Sequence, residues 1–248
     1  MRGLWRVRSL LRRDPERAKR RLVTPAFRPP WALELEKAQL QRRLLRARAE
    51  ETLPDHFTAL EIGVYWGGDL ALWAQTLRAH GGLTAATAPR VRLIGVDLWE
   101  ATDTQRTYGY APRSSVTMAR ETGATRDAVG AALAPYDPFG VIELRQIDSQ
   151  ALDPAALRPL DFAFIDGNHH YDYARRDFAV VMARAAAGCV IGFDDCEARK
   201  EVVLGGPSVA TLIREIDAAI AAGRLALHAL DEVTTRGGGH CRYYRVPS

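Results

Sequence analysis

The residues best placed to do chemistry in this 248-residue chain lie between Leu160 and Cys196. Two short apolar runs, Phe162-Ala163-Phe164-Ile165 and Cys189-Val190-Ile191-Gly192-Phe193, each end abruptly in acid. Asp166 follows the first run, and Asp194 and Asp195 follow the second. Between them runs a helical pattern with Tyr173, Phe178, Val181 and Met182 near one face. This is the pattern of a βαβ unit in a parallel sheet. Open α/β sheets bind ligands outside the carboxyl ends of their strands. Three carboxylates and two histidines, His169 and His170, therefore gather at a ligand-binding edge. Carboxylates so close repel one another unless something positive sits among them, and oxygen ligands suit a hard cation such as magnesium. Asp166 alone reads equally well as a helix cap. Taken with the Asp194-Asp195 pair, a metal or substrate site is the better reading.

The elements that must hold these groups follow from the rest of the pattern. A strand is expected over Thr58–Ile62, then Gly63-Val64-Tyr65-Trp66-Gly67-Gly68-Asp69, then a helix over Leu70–Ala79. Glycine there permits a tight turn and close ligand approach. A second strand, Val91–Val96, ends in Asp97, where an acid can accept hydrogen bonds from ribose hydroxyls. The G-x-x-x-G spacing is not the G-x-G-x-x-G dinucleotide fingerprint, which argues against a nicotinamide cofactor. Residues 99–114 are polar and aromatic without periodicity, as in an active-site lid. A helix over Ser115–Leu133 and a strand over Val141–Gln146 follow, leading into Asp148 and Ser149. Hydrogen bonding to a ligand base and capping of the next short helix stand there as equal readings. A loop after Asp195, a helix over Ser208–Ala222 and two late strands, Leu225–Leu230 and Cys241–Val246, close the pattern with a hairpin.

Composition bounds the class. The apolar fraction, 47%, suits a globular protein with a sizeable core. Three scattered cysteines make neither a disulfide framework nor a zinc site, and a reducing compartment is the default. No apolar run reaches the length of a membrane span, and the basic N-terminus lacks the apolar stretch of a secretory signal. The expected location is cytoplasmic, with peripheral membrane contact open. The net charge of +4 divides unevenly: residues 1–50 carry +10 and the remainder −6. Residues 1–22 read either as a membrane-surface helix or as a solvated basic helix or tail. Thr24–Pro30 is a proline-rich linker. A helix over 31–51, with Leu33, Leu40 and Leu44 on one side, is expected to pack on the main domain or on a second subunit of a homo-oligomer. The arm lacks aromatic interleaving or any nucleic-acid motif, which argues against a nucleic-acid partner. The division is thus a basic, mostly helical extension, 1–52, and a main domain, 53–248.

From about Phe57 onward the chain resembles the class I S-adenosylmethionine-dependent methyltransferases. Within them it is similar to the metal-dependent O-methyltransferases, the group of catechol and macrocin-type sugar O-methyltransferases. Glu61-Ile-Gly63-Val-Tyr65-Trp-Gly67 looks like the family's first motif. Phe164-Ile-Asp166-Gly-Asn-His169-His-Tyr171 and Phe193-Asp194-Asp195 resemble its later signatures, and Asp97 sits at the ribose position. The resemblance implies an α/β, Rossmann-like, doubly wound and mostly parallel seven-stranded sheet with a C-terminal antiparallel hairpin. It implies S-adenosylmethionine held by Glu61, Gly63, Tyr65 and Gly67 at the methionine end. Asp97 would hold the ribose, Leu98 would lie beside the adenine, and Asp148 and Ser149 at its edge. It implies magnesium on Asp166, Asp194 and Asp195, His169 as general base, and a small hydroxylated acceptor such as a sugar or natural-product scaffold. The chemistry is coherent: a Lewis acid lowers a hydroxyl pKa, and a histidine takes its proton. Two residues depart from the pattern. Asp69 replaces a serine close to the cofactor carboxylate, so it must turn away, cap the helix or pair with a cation. Asn168 replaces an aspartate. The competing reading is a non-catalytic assembly protein of the same fold that docks through its basic arm.

Overall fold

The computed structural model describes residues 35–53, 55–99, 123–235 and 238–248. The basic arm over 1–22, the linker, and all of the expected lid except Trp99 lie outside these residues.

Helix α1 (Leu35–Thr52) precedes strand β1 (Phe57–Ile62), helix α2 (Gly68–Ala79) and strand β2 (Val91–Asp97). Helix α3 (Arg126–Leu133) starts at Thr125, whose hydroxyl accepts from Ala128 N, and strand β3 (Ile142–Gln146) follows. The chain continues through β4 (Leu160–Ile165), α4 (Tyr171–Met182) and β5 (Ala185–Phe193). It ends with α5 (Arg199–Leu204), α6 (Val209–Ala221), β6 (His228–Thr234) and β7 (His240–Arg245). The seven strands order as β3-β2-β1-β4-β5-β7-β6. The first five are parallel, and β7 runs antiparallel to both β5 and β6. The expected seven-stranded Rossmann-like sheet with a closing antiparallel pair is the observed one.

Side chains alternate across the sheet, as period-two geometry requires. Phe57, Ala59, Phe162, Phe164 and Tyr243 face the core that also holds Leu45 and Trp73. Leu60, Ile62, Ala163, Ile165 and Phe193 face the core that holds Val181 and Ile213. Helix α1 thus belongs to the sheet's own core, and Leu45 is fully buried. Its buried face is unusually polar, carrying Lys37, Gln41 and Arg48 beside Leu40 and Leu45. Gln41 Oε1 accepts from Trp73 Nε1 at 3.0 Å. Arg48 Nη2 donates to Asp161 Oδ1 at 2.9 Å and to the Ala187 carbonyl at 2.7 Å.

Several boundaries differ from the sequence expectation. The expected helix over Ser115–Leu133 is described only from Arg126, with Gly123 in a left-handed turn before it. The loop expected after Asp195 contains α5, closed by Gly205 at φ 69°. Strand β6 begins at His228 rather than Leu225, because Leu227 N turns back onto the Leu225 carbonyl. In α4 the buried stripe is Ala174, Asp177, Val180 and Val181, and Tyr173 is only partly covered.

Candidate active site at the carboxyl edge

Strand order reverses between β1 and β4, the switch point where open α/β sheets open a crevice. The strand tips there continue the ladder one residue beyond the strands. Gly63 N donates to Val96 O at 2.9 Å, Asp166 N to Ile62 O at 2.8 Å, and Asp194 N to Ile165 O at 3.0 Å. The sheet therefore brings Gly63, Asp166 and Asp194 level. A Cβ on Gly63, which has φ 90°, would fall 2.1 Å from the Asp166 carbonyl oxygen, so only glycine lets these two tips meet. Tyr65, Trp99 and Asp195 carry positive φ without being glycine. All three follow strand ends at this edge, the kind of backbone strain that gathers at functional sites.

The residues expected at a cofactor lie along this crevice. Glu61 is 2% exposed, and its Oε2 is buried without a hydrogen-bond partner among the described residues. Burial, reinforced by the charges of Asp69 and Asp166, raises the Glu61 pKa well above the usual carboxylate range. Asp97 Oδ2 accepts from Tyr65 N at 2.7 Å. Asp97 Oδ1 accepts from Leu98 N at 2.6 Å and Trp99 N at 3.1 Å. Asp97 thus shapes both loops around the crevice, and Trp99 Nε1 closes them together on Tyr65 O at 2.7 Å. Gly67 takes φ 79° at the entry to α2. Asp148 follows the β3 tip and accepts from Gln150 N at 2.9 Å, so capping is realised there. Ser149 hydrogen-bonds toward Asp177 on α4, whose pKa burial pushes up to about 7. A buried orphan carboxyl oxygen at β1, a glycine-only tip and an acid at β2 fit a cofactor with a cationic methionine end and a ribose.

The acids at β4 and β5 are arranged differently from the expectation. Lys37, from α1, lies among them at 7% exposure. Its Nζ stands 2.5 Å from Asp194 Oδ2, 3.3 Å from Asp166 Oδ2 and 3.6 Å from Asp69 Oδ2. It also sits 4.5 Å from the Phe164 ring centroid, a cation–π contact. Asp69 has thus taken the last of its three options and pairs with a cation. Asp195 turns instead to His169, with Oδ2 at 3.0 Å from Nδ1, while His169 Nε2 is 3.4 Å from Asp166 Oδ1. Among the described residues, no group of three or more His, Cys, Asp or Glu is arranged to hold a metal ion. With Lys37 between Asp166 and Asp194, and Asp195 engaged by His169, the donor set as arranged does not fit a divalent ion.

The surrounding electrostatics agree with this geometry. Burial opposes the Lys37 charge, but Asp194, Asp166 and Asp69 together raise its pKa well above the ordinary value. Burial also works against an ionised Asp194, yet Lys37 and the Cys241 thiol hold its carboxyl well below the usual range. Cys241 Sγ donates to Asp194 Oδ1 at 2.9 Å. Asp166, raised by burial and by the Asp194 charge, stands at about 7. His169 is fixed from behind. Its carbonyl accepts from Val209 N at 3.1 Å, and Asn168 Oδ1 accepts from His170 N at 3.1 Å. The asparagine that departs from the family pattern therefore builds the turn that presents the histidine.

Lys37, Gln41, Cys241 and Asp177 were not singled out from sequence. The available signal was a polar stripe, Lys37, Gln41 and Arg48, that shares the buried side of α1 with Leu45.

The sequence profile of a family described as a methyltransferase domain matches residues 60–196, more than half of the chain. No curated protein sequence matches. Among solved structures, the O-methyltransferase NovP superposes with a TM-score of 0.62 at 16% identity, covering 88% of this chain and 82% of that one. TomG, an O-methyltransferase of Streptomyces achromogenes solved with S-adenosylmethionine, gives 0.54 at 18% identity, covering 86% and 80%. A Bacillus cereus O-methyltransferase solved with S-adenosylhomocysteine gives 0.52 at 16%, covering 99% and 91%. Profile and fold agree, and the chain belongs to the methyltransferase-domain family.

Proposed function

We propose that the protein is an O-methyltransferase that moves the methyl group of S-adenosylmethionine to a hydroxyl of a small acceptor, such as a sugar or natural-product scaffold. The observation that carries this reading is the Asp195–His169 pair at the mouth of the crevice. A neutral hydroxyl is a poor nucleophile and needs a base within reach. With Asp195 accepting from Nδ1–H, the tautomer of His169 leaves the Nε2 lone pair to take a proton, as in other carboxylate-oriented histidines. Asp195 then stabilises the imidazolium that forms. Lys37 and Asp194 fix the neighbouring charge, and Asp166 shares the space beside Nε2. The bound cofactor supplies an electrophilic methyl group on a sulfonium. The crevice walls supply its binding groups: Glu61 near the cationic end, Asp97 at the ribose and Leu98 with the Asp148-Ser149 turn at the adenine side. No divalent ion enters this course, since Lys37 stands between Asp166 and Asp194, two of the three expected ligands.

The test is methyl transfer from labelled S-adenosylmethionine to a panel of hydroxylated acceptors. His169→Gln should lower turnover by ~10²–10⁴ while S-adenosylhomocysteine binding stays intact. Asp195→Asn should shift the pH profile as well as lower the rate. Full turnover in His169→Gln would remove the base from the mechanism. Transfer to amines alone would remove the hydroxyl acceptor.

A further inference from the structure

We propose that Lys37 is the resident cation of this site, standing with its single charge in the place of a divalent ion between Asp166 and Asp194, so that the acid cluster needs no metal. The consequence for catalysis rests on the methyl-transfer reading above; the occupancy of the cluster does not.

Three features fix the ammonium there. It is within 3.6 Å of carboxylate oxygens from three different elements, Asp69 of α2, Asp166 after β4 and Asp194 after β5. The Phe164 ring forms a further wall at 4.5 Å. The helix that bears it is bolted to the domain by Gln41 on Trp73 and by Arg48 on Asp161, further along the same face. A lysine on a loose lid could swing away to admit a metal. Lys37 could do so only by withdrawing its buried ammonium from three carboxylates and the Phe164 ring, which is costly for a charged group.

The substitution is chemically specific. Asp69 supplies a third carboxylate, from α2, that completes the cage around the ammonium. A magnesium ion keeps open positions for substrate oxygens and acidifies what it binds. An ammonium engaged by three carboxylates does neither. Lys37 is therefore a positioning residue. It offsets part of the acids' charge, holds Asp194 and Asp166 in place and leaves proton removal to His169 and Asp195.

The deciding experiment measures Mn²⁺ binding by calorimetry and electron paramagnetic resonance, in the presence of S-adenosylhomocysteine and without any acceptor. Wild type should show no Mn²⁺ site that depends on Asp194. Lys37→Met should open one, tightening Mn²⁺ binding by at least about tenfold, and Lys37→Met/Asp194→Asn should lose it again. A wild-type Mn²⁺ site abolished by Asp194→Asn would overturn the proposal, even if Lys37→Met failed to fold. So would a folded Lys37→Met that binds no Mn²⁺, since the acids would then not be a cation site at all. Neither result depends on methyl transfer. Failure to methylate any hydroxyl would sink the proposed function and leave the occupancy standing.

Discussion

Replacing Arg48 by methionine tests whether α1 is a structural member of the domain rather than an appended arm. The Arg48 side chain is 8% exposed and the Asp161 side chain 0%. Among the described residues, Asp161 is held by Arg48 Nη2 on one oxygen and by Thr58 N at 2.9 Å on the other, with His56 Nε2 further off at 3.7 Å. Methionine keeps most of the stem packing but leaves the buried Asp161 carboxylate with the Thr58 backbone donor and the half-exposed His56 ring at 3.7 Å. Breaking a buried pair from one side costs ~3–5 kcal/mol. That is a large part of the ~5–15 kcal/mol that holds a typical domain together. The approach is close: a Cβ on Gly188 would lie 2.4 Å from Arg48 Nη1, so the guanidinium packs directly against the Gly188 backbone. Arg48→Met/Asp161→Asn removes both charges and should recover most of the loss, because the main penalty is the stranded charge. Urea unfolding followed by circular dichroism reads both variants, with unchanged m-values confirming the same transition. A loss below ~1 kcal/mol in Arg48→Met, or a double variant no better than the single, would refute the reasoning.

Three further outcomes are expected. Gly63→Ala should fold poorly or lose S-adenosylhomocysteine binding, because the added methyl meets the Asp166 carbonyl at 2.1 Å; normal binding by calorimetry would contradict the tip contact. Asp97→Ala should weaken S-adenosylhomocysteine by at least about tenfold, since it frees the Tyr65 and Trp99 backbones as well as removing the ribose acid. Asp177, fully buried in α4, is raised from 3.8 to about 7. The native state therefore holds a proton that the unfolded chain has already released. The associated stability is complete below pH 3.8 and is lost as pH rises through 7. Asp177→Asn should flatten that decline between pH 4 and 8 and stabilise the protein by a few kcal/mol, roughly, at pH 8, as read by urea midpoints against pH; an unchanged decline would assign it elsewhere.

The strand tips are legible in the sequence because the buried apolar runs of β2, β4 and β5 are each cut off by an acid and that of β1 by a glycine. Gly63, Asp97, Asp166 and the Asp194-Asp195 pair are all adjacent in sequence to the strand that places them. Lys37 was illegible for the opposite reason. Its three partners lie on other elements, 129 residues away at Asp166 and 157 at Asp194. Its helix also hides polar residues on the face where apolar ones are sought. The split between Asp194, facing Lys37, and Asp195, facing His169, depends on the φ of 55° at Asp195, which nothing in the local sequence announces. Helix α5 spans only six residues and is too short to show periodicity.

The sheet order sets a timetable for the ribosome. β5 stands between β4 and β7, and its Val190–Phe193 stretch pairs with Arg242–Arg245 near the end of the chain. Until β7 has been synthesised, β5 is an open sheet edge with a run of apolar residues, and Asp194 lacks the Cys241 thiol. The nascent protein must carry that edge through the translation of α5, α6 and β6 before the final strand covers it. A chain cut short before β7 would therefore keep nearly every site residue and leave an adhesive strand exposed. Such a product is destined for aggregation or degradation rather than for weakened catalysis.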